Sequence, residues 1–482
     1  MRKNRGLAII AGLVGLALPA LGQMTPPIMP NVQEAPVPAP IEIAAPPSVP
    51  ADVPNRPLSA DEAALLALHH QPSLRTVQAT VMAAQGNAEV TESALGPTVS
   101  TSASYYKTWG SLTTSSNGSG QTSTTGVHAQ ATGGSSPAPT TRVSPGWTLD
   151  ATVSQLVFDF DRTRNEVRQA WAQERAAQAG LSIAQAELVL EVKLDFYSYV
   201  QDEQLVTVAE GNVKDQQAHL ALAKAQVGAG LGIPSDVVRA EAAVADAVFN
   251  LIQARTNAQL ARVALAQQIG IDPRTPLVPA PETEATATDV DLNKLVTQAL
   301  GGRPELVQAQ ESLQAAQFGL SAARKNNWPS VSGSAGWVDT DTDFPPGNNG
   351  AFVGVTALWT PFDSGLTKGL TTQAHAGVQT AQAGYDTATL AIITDVTQSY
   401  LNLKTAEQHV PTAQAEVFNA QEALRLAQGR YRAGIGVFLD VLDAEAALVT
   451  ANTNLVNART AVDQARASLA HAVNADPVLA KK

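Results

Sequence analysis

The sequence predicts a mainly α-helical protein with a small membrane β-barrel portion. Helical patterns far longer than a globular domain occur in both halves of the chain, and two strands of alternating apolar and polar residues precede each of them. The same order of elements also occurs twice. The chain is therefore predicted to be a duplicated unit of two strands and one long coiled-coil helical hairpin.

The duplication is clearest at two glycine-marked turns. The first lies in VGAGLGIPSDVVRAEAAV, residues 227–244, and the second in YRAGIGVFLDVLDAEA, residues 431–446. Aligning Gly230 with Gly434 places Asp236 on Asp440. Each turn is followed at once by a helical pattern, so each is predicted to be the tip of a helical hairpin.

Composition excludes several classes of function. The chain has 482 residues, a formal net charge of -12 and no cysteine. It therefore has no disulfides, no thiolate metal sites and no lipid attachment through a cysteine. The acidic balance argues against a nucleic-acid partner. We find no Ser/His/Asp set and no HExxH zinc motif, so we predict neither catalysis nor a metal site nor a cofactor.

The first residues predict export from the cytoplasm. Residues 1–22 combine a basic start, an apolar run and a small-residue cleavage signal, which is typical of a secretory signal peptide. The alternative, an uncleaved membrane anchor, is disfavoured because the apolar run is shorter than the ~20 residues of a spanning helix. Residues 23–57 form a Pro/Ala-rich linker that cannot build a core.

The first structural repeat spans residues 58–270. A capping box, with Ser59 as N-cap and Glu62 as its partner, opens a short helix, and Pro72 begins a second one. The predicted strands cover residues about 98–107 and 147–158, and a Ser/Thr/Gly-rich loop separates them. A very long helix then leads to the first hairpin tip, and a return helix ends near Gly270. The long helix is predicted to extend to about residue 227, the tip to lie at about 228–236, and the return helix to cover 235–269.

The second structural repeat spans residues 289–475, after a linker at 271–288. Its predicted strands cover residues about 330–338 and 351–360. The loop between them ends in Asn349-Gly350, which is a hairpin turn signal. A second very long helix leads to the second tip, at about 433–440, and a last helix follows. Residues 476–482 are predicted to be a tail.

The four strands predict a transmembrane barrel that one chain cannot complete. Each strand has one small apolar face and one Ser/Thr-rich face, and Tyr105, Trp147, Trp337 and Trp359 lie at or near strand ends as a membrane aromatic girdle. Small barrels need about eight strands, and open sheet edges are not tolerated in lipid. Several copies must therefore share one barrel. The alternative is a soluble four-stranded sheet packed on helices.

The element order and four motifs resemble the outer-membrane efflux protein family, the TolC-like channels. The motifs are TPFDSG at 360–365, its weaker copy VFDFDR at 157–162, and the two hairpin tips. The resemblance covers residues 58–475. It implies a trimeric α/β-barrel channel. Such a homotrimer would have a twelve-stranded barrel in the lipid of the outer membrane and a helical tunnel that extends into the periplasm.

The same resemblance implies partners and site residues. A periplasmic adaptor protein and an inner-membrane transporter would open a passive exit duct at its tips, and the adaptor would dock there. The implied adaptor-docking residues are Gly230, Gly232, Gly434 and Gly436. The cargo is left open among drugs, metal ions, proteins and polysaccharide, and the alternative function is a periplasmic coiled-coil adaptor or scaffold without a pore.

Two pairs of residues match the entrance of such channels. Asp440 and Asp443 fall where acidic residues narrow the pore and select cations; the alternative is that Asp440 only complements the helix dipole. Asp236 and Tyr431 fall on positions of the closed-state lock. An arginine that often joins this lock would fall at Gly436, so that contact is expected to be missing unless a neighbouring arginine, Arg430 or Arg432, replaces it.

Overall fold

The computed structural model describes residues 57–106, 146–230, 232–280 and 291–480. The predicted signal peptide and nearly all of the Pro/Ala-rich linker lie outside these ranges, as does the Ser/Thr/Gly-rich loop. The end of the second linker with the first two residues of the second repeat, at 281–290, and the last two residues of the tail, at 481–482, also lie outside them.

Within the described ranges, the predicted order of helices and strands is present in both repeats. The helices are α1 (Ala60–His70), α2 (Pro72–Ser93), α3 (Arg162–Gly228), α4 (Pro234–Ile269), α5 (Leu292–Gly302), α6 (Pro304–Ala323), α7 (Leu366–Arg432), α8 (Phe438–Ala472) and α9 (Pro477–Ala480). The strands are β1 (Thr98–Tyr106), β2 (Gly146–Phe158), β3 (Ser330–Asp341) and β4 (Asn348–Leu358).

The two long hairpins dominate the molecule. Helices α3 and α7 each have 67 residues and extend about 100 Å, since an α-helix rises ~1.5 Å per residue. Helix α3 packs along α4, and α7 packs along α8. Helix α7 continues through Pro411, where the helix loses one backbone hydrogen bond because proline has no N–H. Among the helices described, none is both long and apolar enough to cross a membrane.

The strands form one antiparallel sheet in the order β1-β2-β3-β4. The predicted turn at Asn349-Gly350 is wrong. Both residues belong to β4, where Asn349 pairs with Asp339 and Gly350 pairs with Val338. The chain turns instead at residues 342–347. The ladder ends there because two consecutive prolines, Pro345 and Pro346, have no N–H to donate.

Small residues fill the contacts between helices. The largest apolar cluster packs α1 and α9 against α3 and α4, and a second cluster packs α5 against α7 and α8. The capping box at the start of α1 is confirmed, because Ser59 Oγ accepts from the Glu62 backbone N–H at 3.3 Å. The first part of the 271–288 linker is also packed, because Tyr199 Oη donates to the Leu277 carbonyl at 2.9 Å.

Residues 476–480 of the predicted C-terminal tail pack against the first repeat. Val478 is 2% exposed in the largest cluster, and Asp476 accepts a hydrogen bond from the buried Lys193 at 2.8 Å. Asp61 on α1 contacts the same ammonium at 2.7 Å. Burial alone would lower the pKa of Lys193, but these two carboxylates outweigh it and the pKa is raised. Lys193 therefore ties the segment that precedes α9 to α1.

Candidate functional site

The two hairpin tips have the same backbone geometry. After α7, Gly434 has a φ of 72°, and its N–H donates to the Tyr431 carbonyl at 3.1 Å. The Ile435 N–H donates to the Arg430 carbonyl at 3.1 Å, which completes a Schellman motif. After α3, Gly230 has a φ of 73°. Glycine suits both positions because it adopts positive φ without a steric penalty.

The second glycine of each tip is favoured because a Cβ at that position would be too close to neighbouring atoms. A Cβ on Gly436 would lie 2.8 Å from Arg430 Cβ and 3.1 Å from the Tyr431 nitrogen. A Cβ on Gly232 would meet the backbone of Val227 at 3.0 Å. The tight turn therefore has no room for an arginine at 436, which explains physically why the expected lock arginine is missing from this chain.

The two predicted pore aspartates lie together at the start of α8. Asp440 is in the first turn of the helix and Asp443 follows one turn later, and both side chains are exposed. The exposed face continues along the helix at alternating intervals of three and four residues. Its next members are Ala447, Thr450, Asn454, Asn457 and Ala461. The aspartates thus begin a stripe of small and uncharged polar residues.

The two predicted lock residues are in contact. Tyr431 Oη donates to Asp236 Oδ2 at 3.4 Å, and both residues are buried. The contact joins α7 to α4, so it connects one hairpin to the other. Burial and the nearby charge of Asp236 raise the pKa of Tyr431. The Tyr431 ring also packs on Phe438, with ring centroids 5.2 Å apart.

The sequence did not identify two features of this region. Phe438 is 2% exposed and belongs to an apolar cluster at which all four hairpin helices meet. Glu445 is 1% exposed and lies 3.2 Å from His219 on α3. Its counterpart in the first repeat, Glu241, is about half exposed and pairs with a lysine. The spacing of Phe438, Val441 and Glu445 along one helical stripe was the available signal of burial.

The aromatic residues form a group at each end of the sheet. At one end, the rings of Tyr105 and Trp147 lie 5.0 Å apart. At the other end, Phe160 packs on Trp328 and the exposed Trp359 follows β4 directly. Trp337 belongs to neither group, because it pairs with Ala151 and Ala351 inside the ladder. Its predicted place in the girdle therefore has no ring contact to support it.

The acidic residues beside the β3–β4 turn do not make a metal site. Asp339, Asp341 and Asp343 alternate along the chain, but no group of side chains in the described ranges could hold a metal ion. The Asp341 carboxylate instead accepts from the Thr342 backbone N–H at 2.6 Å.

Comparison with known proteins identifies the family. A model of the family described as "Outer membrane efflux protein" matches residues 64–271 and 295–475, which covers both repeats. The chain belongs to the outer membrane efflux protein family. As a member, it is a protein of the outer membrane that extends into the periplasm, and it is not an enzyme.

Individual relatives agree with this family. The chain is 29% identical over 265 residues to protein CyaE of Bordetella pertussis, which covers 54% of this chain and 56% of CyaE. It is 25% identical over 311 residues to the outer membrane efflux protein BepC of Brucella suis, with 64% and 67% of the two chains covered. The matched region thus spans only part of each relative.

Solved structures show the fold. The crystal structure of the outer membrane protein VceC of Vibrio cholerae has a TM-score of 0.70 to this chain at 22% identity, covering 86% of this chain and 95% of VceC. At this identity the likeness concerns the arrangement of strands and hairpins rather than any shared cargo.

The geometry of the second tip predicts that Gly436→Ala disrupts the turn. The new Cβ must displace Arg430 or the backbone beside it, at a cost of about 1–3 kcal/mol. We expect amide hydrogen exchange in the tip peptide to accelerate by about tenfold or more, since about 1.4 kcal/mol corresponds to tenfold. Gly429→Ala is the control, because its Cβ meets nothing within 4 Å. Unchanged exchange in Gly436→Ala would contradict this account of the turn.

Proposed function

We propose that this protein is the outer-membrane channel of a tripartite efflux or type I secretion system. It serves as a passive exit duct that a periplasmic adaptor and an inner-membrane pump open at the helical tips. The observation that carries the proposal is an apolar sheet face that no part of the described chain covers, joined to two very long hairpins. The family membership supports the same reading.

The apolar face is suited to lipid. Val99, Val153, Ala335 and Val353 pair in sequence across all four strands, and Val353 is 87% exposed. The opposite face carries mainly serine and threonine on β1, β2 and β3, whereas β4 contributes glycines and Phe352 to it. A soluble sheet would pack its apolar face on a core, whereas a membrane barrel turns that face outward and its polar face inward.

The sheet edges support a homotrimer. In the described chain, β1 and β4 each have a strand on one side only. Lipid does not tolerate such edges, so β4 of one copy must pair with β1 of the next. Three copies would close a twelve-stranded barrel, in agreement with the oligomer that the family resemblance implies. A periplasmic adaptor without a pore would not need the exposed apolar face.

The tips are the proposed entrance. In a trimer, Asp440 and Asp443 would supply six carboxylates around one axis, and such a ring attracts cations. We propose that an adaptor docks at the turns that contain Gly230, Gly232, Gly434 and Gly436. Gly230 and Gly434 leave room for the close approach of another backbone, whereas Gly232 and Gly436 allow the turns themselves to be tight.

The first test is ion selectivity in planar bilayers. We expect the wild-type protein to form pores that prefer cations, and Asp440→Asn with Asp443→Asn to lower the cation-over-anion permeability ratio about fivefold, since a close charge contributes ~1 kcal/mol even in water. The measurement is the reversal potential in a KCl gradient. Asp246→Asn, an exposed carboxylate on α4, is the control. If the wild-type protein formed no pores, the alternative function, a periplasmic coiled-coil adaptor without a pore, would be favoured.

The second test concerns the lock. We expect Tyr431→Phe combined with Asp236→Ala to raise the conductance of the resting channel about tenfold, because a buried hydrogen bond to a charged group contributes ~1.5–3 kcal/mol. Tyr385→Phe, elsewhere on α7, is the matched control. An unchanged resting conductance in the double variant would show that this contact does not hold the closed state.

A further inference from the structure

A row of polar side chains joins α3 to α8. Gln464 Nε2 donates to Ser198 Oγ at 3.2 Å, and Gln201 Nε2 donates to Asn457 Oδ1 at 2.7 Å. Since α3 and α8 belong to different hairpins, these contacts hold one hairpin against the other. Both pairs are uncharged at any ordinary pH. The row ends toward the tips in a third pair of a different kind.

This third pair is His219 and Glu445. His219 Nε2 lies 3.2 Å from Glu445 Oε2, and the two residues are 6% and 1% exposed. His219 lies near the end of α3 and Glu445 near the start of α8, on the helix that carries Asp440 and Asp443. The pair is therefore close to the tips, buried and titratable on both sides.

Other charged groups surround the pair. On α3, burial and the charge of Glu445 raise the pKa of Asp215, while His219 and Lys214 act in the opposite direction. Gln216 on the same helix has a buried Oε1 without a hydrogen-bond partner. Asp215, His219 and Glu445 thus lie close enough for the charge on one residue to affect the others.

Two carboxylates on the neighbouring helix α4 have other partners. On α4, Glu241 contacts Lys224 of α3 at 3.0 Å. The Asp236–Tyr431 contact joins α4 to α7. Neither pair is described in contact with His219. Glu445 is consequently the carboxylate that a protonated His219 would face directly.

We propose that His219 is a positioning residue for the entrance: its contact with Glu445 holds α8 against α3, and holds it more tightly when the imidazole is protonated. This inference rests on the proposed function of the tips. A neutral imidazole donates one N–H to the carboxylate, whereas an imidazolium adds an ion pair, and charge-assisted hydrogen bonds are roughly twice as strong. Histidine ordinarily changes charge between pH 5 and 8.

The contact is separate from the Asp236–Tyr431 lock. One pair joins α3 to α8 and the other joins α4 to α7, so a change in the angle between the hairpins must move both. Separating the first pair while α8 stays packed would leave the Glu445 charge buried without compensation, which is strongly unfavourable. Low pH should therefore favour the resting arrangement of the tips.

The test is the pH dependence of resting conductance in planar bilayers, with the full chain. We expect wild-type conductance to fall at least about fivefold from pH 8 to pH 6. A factor of about five is the lower end of the typical coupling between linked sites. His219→Gln keeps an N–H donor and cannot be charged, so this variant should lose the pH step. Glu445→Gln should lose it as well. His375→Gln, an exposed histidine on α7, should keep it.

Each outcome has a distinct meaning. A pH step that persists in both His219→Gln and Glu445→Gln overturns the inference while the channel itself stands. A wild-type protein that forms no pores overturns the proposed function instead. A second measurement does not need insertion: the deficit of His219→Gln in helix melting temperature should be larger at pH 6 than at pH 8. Equal deficits at the two pH values would also overturn the inference.

Discussion

The backbone hydrogen bonds of the two outer strands constrain the rest of the structure. In the described part of the chain, β1 and β4 each leave a row of N–H and C=O groups without a strand partner, beside an exposed apolar face. The proposed barrel, closed by several copies of the chain, would satisfy the strand edges and place the apolar face against lipid. In that arrangement, the connection from each strand pair to a long hairpin would bring the hairpins into one shared bundle.

The contacts between the hairpins suit the proposed opening of the bundle at its tips. Outside the cluster around Phe438, alanine is the most frequent buried apolar residue on the four hairpin helices; it allows helices to approach closely but contributes little free energy per residue. The specific cross-hairpin contacts are a few polar pairs, among them Asp236–Tyr431 and His219–Glu445. Since buried polar pairs tolerate little displacement, they select one arrangement, and weak packing between them leaves others accessible.

The elements and both tips could be predicted because their signals are local: helical period, strand alternation and glycine turns. The features that the sequence did not predict depend on contacts between residues that are distant in the chain. Asn349-Gly350 has the local signal of a turn, yet pairing with β3 places it in a strand. Asp476 packs because Lys193, 283 positions away in the chain, needs a carboxylate. The burial of Glu445 likewise depends on His219, which no short-range pattern relates to it.

The central claim is that three copies of this chain share one barrel. Light scattering of the detergent-extracted protein, corrected for bound detergent, measures the number of chains per particle directly. We expect three chains per particle, because three sheets of four strands give the twelve strands that the proposed barrel requires. A particle of one chain that remains folded and soluble without detergent would contradict it, since the strand edges and the apolar face would then need no partner.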